Sequence, residues 1–287
     1  MINKNDWLYP FRETYQTTTQ GDIVFGNLES PLIEGPIVNT GTMVFRADPQ
    51  AVAGLTFGGF NVLSLANNHF KNKGDAGISQ TIATLDENSV AHAGAGMDSD
   101  QARAPAIIEV KGKKFGFLAY LDSSFTPASY EAATDRSGSP FLNEQTLIED
   151  LDKLKGQADI MIVSMHAGTE YTLQPTQKQI NFAHTAIDHG AKLVIGHHPH
   201  VVQPLEKYKD GYILYSLGNF IFDQMWSEET REGAIATVEF SGLDIVDVKL
   251  IPIKIYDYSQ PRIISESEGA DIIKRMTPHT NANQNSK

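Results

Sequence analysis

Lys192-Leu193-Val194-Ile195-Gly196-His197-His198-Pro199-His200 is the stretch on which the reading of this chain turns. Leu193–Ile195 is a short apolar run of the kind that forms a buried strand. Three imidazoles follow it within four positions, on a loop held tight by Gly196 and Pro199. Burying three such rings without partners is costly, so their gathering after a strand points to a ligand. His198 and His200 bracket one residue, and in an extended segment both would point to the same side. That suits two nitrogens meeting one metal ion or two adjacent ions. The bland alternative is a solvated histidine-rich turn.

Three further strand ends carry polar groups. Asp22–Gly26 and Phe60–Ala66 read as short buried strands, followed by Asn27–Glu29 and Asn67-Asn68-His69, and Ile160–Met165 runs into His166. Each cluster alone is weak. Asn67-Asn68 could be a turn and cap, His166 a satisfied buried histidine, and Glu29 an ordinary carboxylate. Between them, Asp48–Phe57, Asp75–Asn88, Asn143–Lys155 and Gln174–His189 read as helices, the third with Leu147, Leu151 and Leu154 on one stripe. Ile107–Val110 and Phe115–Leu121 flank Gly112-Lys113 as a hairpin; Tyr212–Leu217, Ala234–Phe240 and Val246–Ile255 read as later strands. Strands alternating with helices predict an α/β fold with added antiparallel pairing, in which sites collect at strand ends. Residues 1–276 read as one domain and 277–287 as a polar, disordered tail.

Composition narrows the chemistry. The chain has 287 residues, no cysteine and a formal net charge of −12. Zinc thiolate sites, iron–sulfur clusters and a cysteine nucleophile are excluded, and the acidic balance argues against nucleic-acid binding. No apolar run of membrane-spanning length and no signal peptide is present, so the chain as given reads as soluble. There is no Walker A motif and no Gly-x-Ser-x-Gly elbow, and Gly94-Ala95-Gly96 lacks the third glycine of a dinucleotide loop. Phe220, Phe222 and Trp226 read as core or rim; His184 and His189 as solvated or capping; His92 and His279 belong to no constellation. What remains is a mixed nitrogen and oxygen donor set, suited to zinc, iron or manganese. Two such ions about 3.5–4 Å apart can clamp a phosphoryl group and supply a hydroxide nucleophile.

The motifs at Gly21–Leu32, Phe45–Pro49, Asn61–Gly74, His92–Gly96, Val163–Tyr171, Leu193–Glu206 and Tyr215–Asp223, with the helix text at Gly77–Leu85, resemble the CapA/PgsA-type capsule-synthesis proteins associated with bacterial poly-γ-glutamate. The resemblance covers most of the chain, about Asp22 to Asp223. It implies a calcineurin-like metallophosphoesterase sandwich of mixed β-sheets flanked by helices. By position it implies Glu29, Asn68, His166, His198 and His200 as metal ligands and His69 as the catalytic histidine. Asn27, Arg46, Asn67, Glu170, His197 and Asn219 would line the site or support it. For Arg46 a structural salt bridge, and for Asn219 a turn, compete with that role.

The sequence departs from the family pattern at Ala167, where a tryptophan is usual, and at Asn72, where an aspartate is usual. An opening Gly-Asp strand is also expected; Gly21-Asp22 lies too close to Asn27-Leu28-Glu29 to be it, so the fold is expected to lack its first strand. The resemblance implies a metal-dependent phosphoesterase-like hydrolase in capsule synthesis, with one or two divalent ions (Mn, Fe or Zn), a metal-bound water as nucleophile and His69 protonating the leaving oxygen. The substrate would be an anionic small molecule or polymer. The alternative is a non-catalytic surface component of a synthase complex, with a vestigial or structural metal site. A cytosolic enzyme unrelated to capsule is a third reading. By resemblance the full-length protein would lie on the extracellular face of the bacterial membrane, near membrane-bound synthase subunits, with no nucleic acid bound.

Overall fold

The computed structural model describes residues 6–36 and 43–277. In chain order its helices and strands are α1 (Tyr15–Thr18), β1 (Phe25–Asn27), α2 (Val52–Phe57), β2 (Val62–Ser64), α3 (Gly74–Glu87), β3 (Ala91–Ala93), α4 (Ser99–Ala102), β4 (Ala106–Val110) and β5 (Lys113–Leu121). Then come α5 (Glu144–Leu154), β6 (Ile160–His166), α6 (Gln177–Asp188), β7 (Ala191–His197), β8 (Val202–Tyr208), β9 (Gly211–Leu217), α7 (Glu228–Arg231), β10 (Glu232–Ser241), β11 (Asp244–Tyr256), β12 (Gln260–Ile263) and α8 (Ala270–Met276). The expected polar tail lies, after Thr277, outside the described residues.

The strands form three sheets. One is parallel, in the order β1-β2-β3. The largest has the order β4-β5-β6-β7-β9-β8, with a parallel centre of β5, β6, β7 and β9 and antiparallel edges. The third is the antiparallel meander β10-β11-β12.

Side-chain alternation along the central strands sorts their residues to two faces. Phe115, Phe117, Ala119 and Leu121 of β5, Ile160 and Ile162 of β6, and Leu193 and Ile195 of β7 pack with Val62, Leu63 and Leu65 of the three-stranded sheet. The intervening Leu118, Tyr120, Met161, Val163, Met165 and Val194 pack on the leucines of α5 and on Phe182, Ala183, Ala186 and Ile187 of α6. Because both faces are covered, these strands read as continuous apolar runs. Phe25 stacks on Phe117 at 5.6 Å, where β1 crosses β5. Continuing the same parity, Ser164, His166 and His197 inherit the face toward the three-stranded sheet, and this puts histidines between the two layers. The meander closes the far end: Phe240 meets Phe115 edge-on at 5.3 Å.

Local chemistry explains most boundaries. Asn143 caps α5 through the Thr146 amide. The helix expected from Gln174 starts at Gln177, because Thr176 forms a capping box with Gln179. Asp48 caps as expected, but a 3-10 turn (Pro49–Ala51) precedes α2. Seven described elements had not been anticipated: α1, β3, α4, β8, α7, β12 and α8. β8 carries Pro204 and is an edge strand, where a missing amide is tolerated.

Candidate metal centre

The strand ends converge as the sequence pattern anticipates. Asn27 Nδ2 donates to Glu29 Oε2 at 3.1 Å, and Asn67 Nδ2 donates to Leu28 O at 2.9 Å and Asn27 Oδ1 at 3.2 Å. Asn27 and Asn67 thereby lock the ends of β1 and β2 together and aim Glu29 across the gap between sheets. Its Oε1 lies 3.8 Å from His166 Nε2 and 3.8 Å from His200 Nε2. His166 Nε2 is also 2.9 Å from Asn68 Oδ1. A carboxylate oxygen, an amide oxygen and two imidazoles from four separate segments therefore share one buried point.

The His198–His200 loop reaches this point by a route other than the expected extended strand. Both residues have left-handed backbone, at φ 101° and 58°, a conformation that costs non-glycine residues about 1–3 kcal/mol and gathers at functional sites. Gly196 is required just before it, since a Cβ there would lie 2.0 Å from the Tyr215 carbonyl. His198 stacks on Phe125 at 3.7 Å, and its Nδ1 is buried without a partner. His200 Nδ1 is 2.8 Å from Asn219 Oδ1, and Asn219 Nδ2 donates to Gln224 Oε1 and Thr230 O. Asn219 thus accepts from Nδ1–H and leaves Nε2 of the neutral ring bare toward Glu29. It acts through His200, which is more than the turn that competed for it in the sequence.

His69 is set the same way. Asn72 Oδ1 accepts the Phe45 amide at 2.6 Å and lies 2.9 Å from His69 Nδ1, so Nδ1 carries the proton and Nε2 is free. Phe45 stacks on the ring at 3.8 Å. The other expected residues divide. Glu170 is half-buried, and ligand atoms of Glu170, His198 and His200 lie within 4.8 Å of one another. His197 instead packs toward Phe25 between the layers, at 5.9 Å. Arg46 forms no salt bridge among the described residues; its Nη1 donates to Ile33 O at 2.6 Å, and none of its bonds reaches the histidines. Asp22 pairs with Lys111 at 2.9 Å.

Phe45, Phe125 and Asp122 escaped the sequence reading. Asp122 follows β5 as Glu29 follows β1, so the rule of polar groups at strand ends would have found it. Burial pushes its carboxyl up, but Lys178 and Ser124 outweigh burial and hold it below the usual carboxylate range. The two stacking rings carry no polar signal. Phe222 lies against His200 at 4.8 Å, Phe220 against Phe60 at 5.8 Å, and the exposed Trp226 meets Tyr171 edge-on at 5.9 Å. His184 sits on Tyr208 at 3.7 Å and bonds Glu206, and His189 is the C-cap of α6.

The electrostatics fit a cation. Burial and then Glu170 push the Glu29 carboxyl up to about 8, against the bond from Asn27. Burial takes His198 down to about 3 and His197 to about 4, and holds His166 well below the ordinary histidine range. Burial lowers His69 and His200 as well. The imidazoles are therefore neutral near pH 7, with lone pairs available to a metal. Glu29 Oε1 is buried with no hydrogen-bond partner, and among the described residues no Lys or Arg pairs with Glu29. The 2.9 Å between Asn68 Oδ1 and His166 Nε2 matches the spacing of two adjacent ligands on one ion at about 2.1 Å each. Glu29, Asn68, His166, His198 and His200 thus suit a hard or borderline divalent cation.

A model of the bacterial capsule synthesis protein family PGA_cap matches residues 1–224. This chain belongs to that family. It is 31% identical to a capsule biosynthesis protein CapA of Bacillus anthracis over 98% of this chain and 69% of that one. A PGA biosynthesis protein CapA of Bacillus subtilis is 29% identical, covering 91% and 69%. A probable polyglutamine synthesis accessory protein of Mycobacterium tuberculosis is 27% identical, covering 87% and 71%. Among solved structures, a hypothetical protein of Thermus thermophilus superposes with a TM-score of 0.56 at 16% identity, over 84% of this chain and 91% of that one. A putative 5′-nucleotidase of Staphylococcus aureus gives 0.55 at 14% identity, over 93% and 52%. These superpositions agree with the mixed α/β sandwich that the family resemblance implies. No helix among the described residues is long and apolar enough to cross a membrane.

Proposed function

We propose that this protein is a metal-dependent phosphoesterase-like hydrolase serving bacterial capsule, or poly-γ-glutamate, synthesis. Residues 1–276 act as one unit, at the extracellular face of the membrane beside synthase subunits. The observation that carries this reading is the unpartnered Glu29 Oε1, 3.8 Å from both His166 Nε2 and His200 Nε2. Glu29, Asn68, His166, His198 and His200 would hold Mn, Fe or Zn. When bound, such an ion supplies Lewis acidity at a phosphoryl or acyl oxygen and makes an attacking water available near neutral pH.

The chain's own residues prepare the rest. Asn219 and Asn72 fix His200 and His69 in the tautomer with Nε2 free, and Phe45 and Phe125 hold the rings of His69 and His198 by stacking. His69 Nε2 is the atom that moves a proton to or from the reacting oxygen of an anionic substrate. Tyr171, Phe222 and Trp226 form the aromatic rim over which that substrate enters. Metal content and phosphodiesterase and phosphatase turnover of wild type and His69→Ala test the reading. A metal-loaded wild type without activity, or equal activity in both proteins, defeats catalysis.

One observation favours a second, non-catalytic reading. Asn72 is uncharged and supports a protonated His69 less than a carboxylate would. On this reading the centre is structural and the protein anchors polymer or synthase. Pull-downs with poly-γ-glutamate and with synthase subunits that recover nothing would remove it.

A further inference from the structure

We propose that Glu170 is itself a metal ligand, holding a second cation with His198 and His200 outward of a first position built from Glu29, Asn68 and His166. This rests on the metal-dependent reading and goes beyond it, since the family resemblance gives Glu170 only a supporting place. The first observation is proximity. Among the described His, Asp and Glu residues, Glu170, His198 and His200 are the group whose ligand atoms all fall within 4.8 Å of one another. The second is an orphaned donor. His198 is 5% exposed, yet its Nδ1 has no partner, and a polar atom left so costs about 1–3 kcal/mol unless something outside the chain meets it. The third is the direction of His200, whose Nδ1 is committed to Asn219 while Nε2 faces the Glu29 oxygen. That places Glu29 between the two positions, with one oxygen 3.8 Å from an imidazole of each.

The backbone holds Glu170 there. The Tyr171 amide donates to the Pro199 carbonyl at 2.8 Å, which ties the loop after β6 to the histidine loop after β7. Tyr171 has φ 61°, left-handed like His198 and His200. Gly168, at φ 113°, has no room for a side chain, since a Cβ would lie 2.5 Å from Gln179 Oε1. Behind this, Gln203 Nε2 donates to Thr172 O and Gln174 O. Among the described residues no Lys or Arg pairs with Glu170, so two carboxylates face a cluster of imidazoles with no lysine or arginine between them.

The test is stoichiometry. Metal-free full-length chain is titrated with Mn²⁺ by calorimetry, and bound manganese is counted by elemental analysis and followed by electron paramagnetic resonance. Wild type is expected to take two ions and show an exchange-coupled spectrum. Glu170→Gln is expected to take one and show an isolated Mn²⁺ spectrum, with its native circular dichroism intact. Glu170→Asp should restore the second ion at about 10–100-fold weaker affinity. A wild type that binds one ion, or a Glu170→Gln protein that keeps both or loses both, overturns the assignment while leaving the metal-dependent reading standing. A wild type that binds none defeats both.

Discussion

Asp150 and Glu29 are both carboxylates withdrawn from water, with side chains 4% and 12% exposed, and their surroundings could hardly differ more. Asp150, on the helix side of the large sheet, receives Arg103 Nε at 3.0 Å, Arg103 Nη2 at 2.7 Å and the Tyr120 hydroxyl at 2.9 Å. Its charge is answered within the chain. Glu29, on the opposite side, receives one bond from Asn27 and otherwise faces imidazoles that burial keeps neutral. A buried charge persists when paired and hydrogen-bonded and is otherwise costly. Asp150 thus staples α5 to its neighbours, whereas no Lys or Arg among the described residues answers Glu29.

The largest effect expected from this contrast is at Glu29. Glu29→Gln should weaken Mn²⁺ binding more than about 100-fold and yet raise the thermal midpoint of the metal-free protein, because burial lifts the Glu29 carboxyl to about 8 and a neutral amide removes the cost of holding it protonated at neutral pH. Calorimetry and thermal unfolding read the two together; a variant that binds Mn²⁺ normally would erase the distinction. Next, His69→Asn should lower phosphodiesterase turnover by about 10²–10⁴-fold with metal content unchanged, since the proposed function gives His69 the proton transfer and not the ion. Asp150→Ala should do the converse. It should cost about 3–5 kcal/mol by leaving Arg103 without its main partner, measured by urea unfolding, and leave metal stoichiometry as in wild type.

The smallest effect is expected at a third carboxylate, Asp122, which has its own lysine, Lys178, within the chain. Lys178→Met should cost about 1.5–3 kcal/mol near neutral pH. The carboxyl of Asp122 is depressed in the folded protein. Its contribution is therefore present above the ordinary aspartate value and lost as pH falls through the lower folded one. Unfolding curves of wild type and Lys178→Met should run parallel from about pH 8 to 5 and converge below about pH 4. A gap that persists in acid would show that Lys178 stabilises by packing.

Much of the site was legible before the structure because its signals are local. A short apolar run followed by Asn, Glu or His reads the same way wherever the strand ends up, and Glu29, Asn68, His69, His166, His198 and His200 were all marked by it. Residues that act by stacking or by holding another side chain are invisible to that rule. Phe45 and Phe125 look like any core aromatic, and Asn72 shows its purpose only where its oxygen meets both the Phe45 amide and His69 Nδ1. Arg46 fails in the opposite sense, as a charged residue in a marked motif that turns to a backbone carbonyl.

Side-chain alternation is a property of a few consecutive residues, so local sequence suffices to say that Ile160, Ile162, Ser164 and His166 share a face and that polar groups crowd the strand ends. It cannot say which ends meet. Glu29 and His200 are brought within 3.8 Å by the order of strands in two sheets and by the apolar layer between them, which sums weak contacts over the whole chain. Nor can it say that the His198–His200 loop turns left-handed, or that Tyr171 binds the Pro199 carbonyl and carries Glu170 to the same point. Those conformations are strained on their own and exist because the surrounding packing holds them. Donor chemistry was therefore written locally, while which donors meet at one point follows only from the assembled fold.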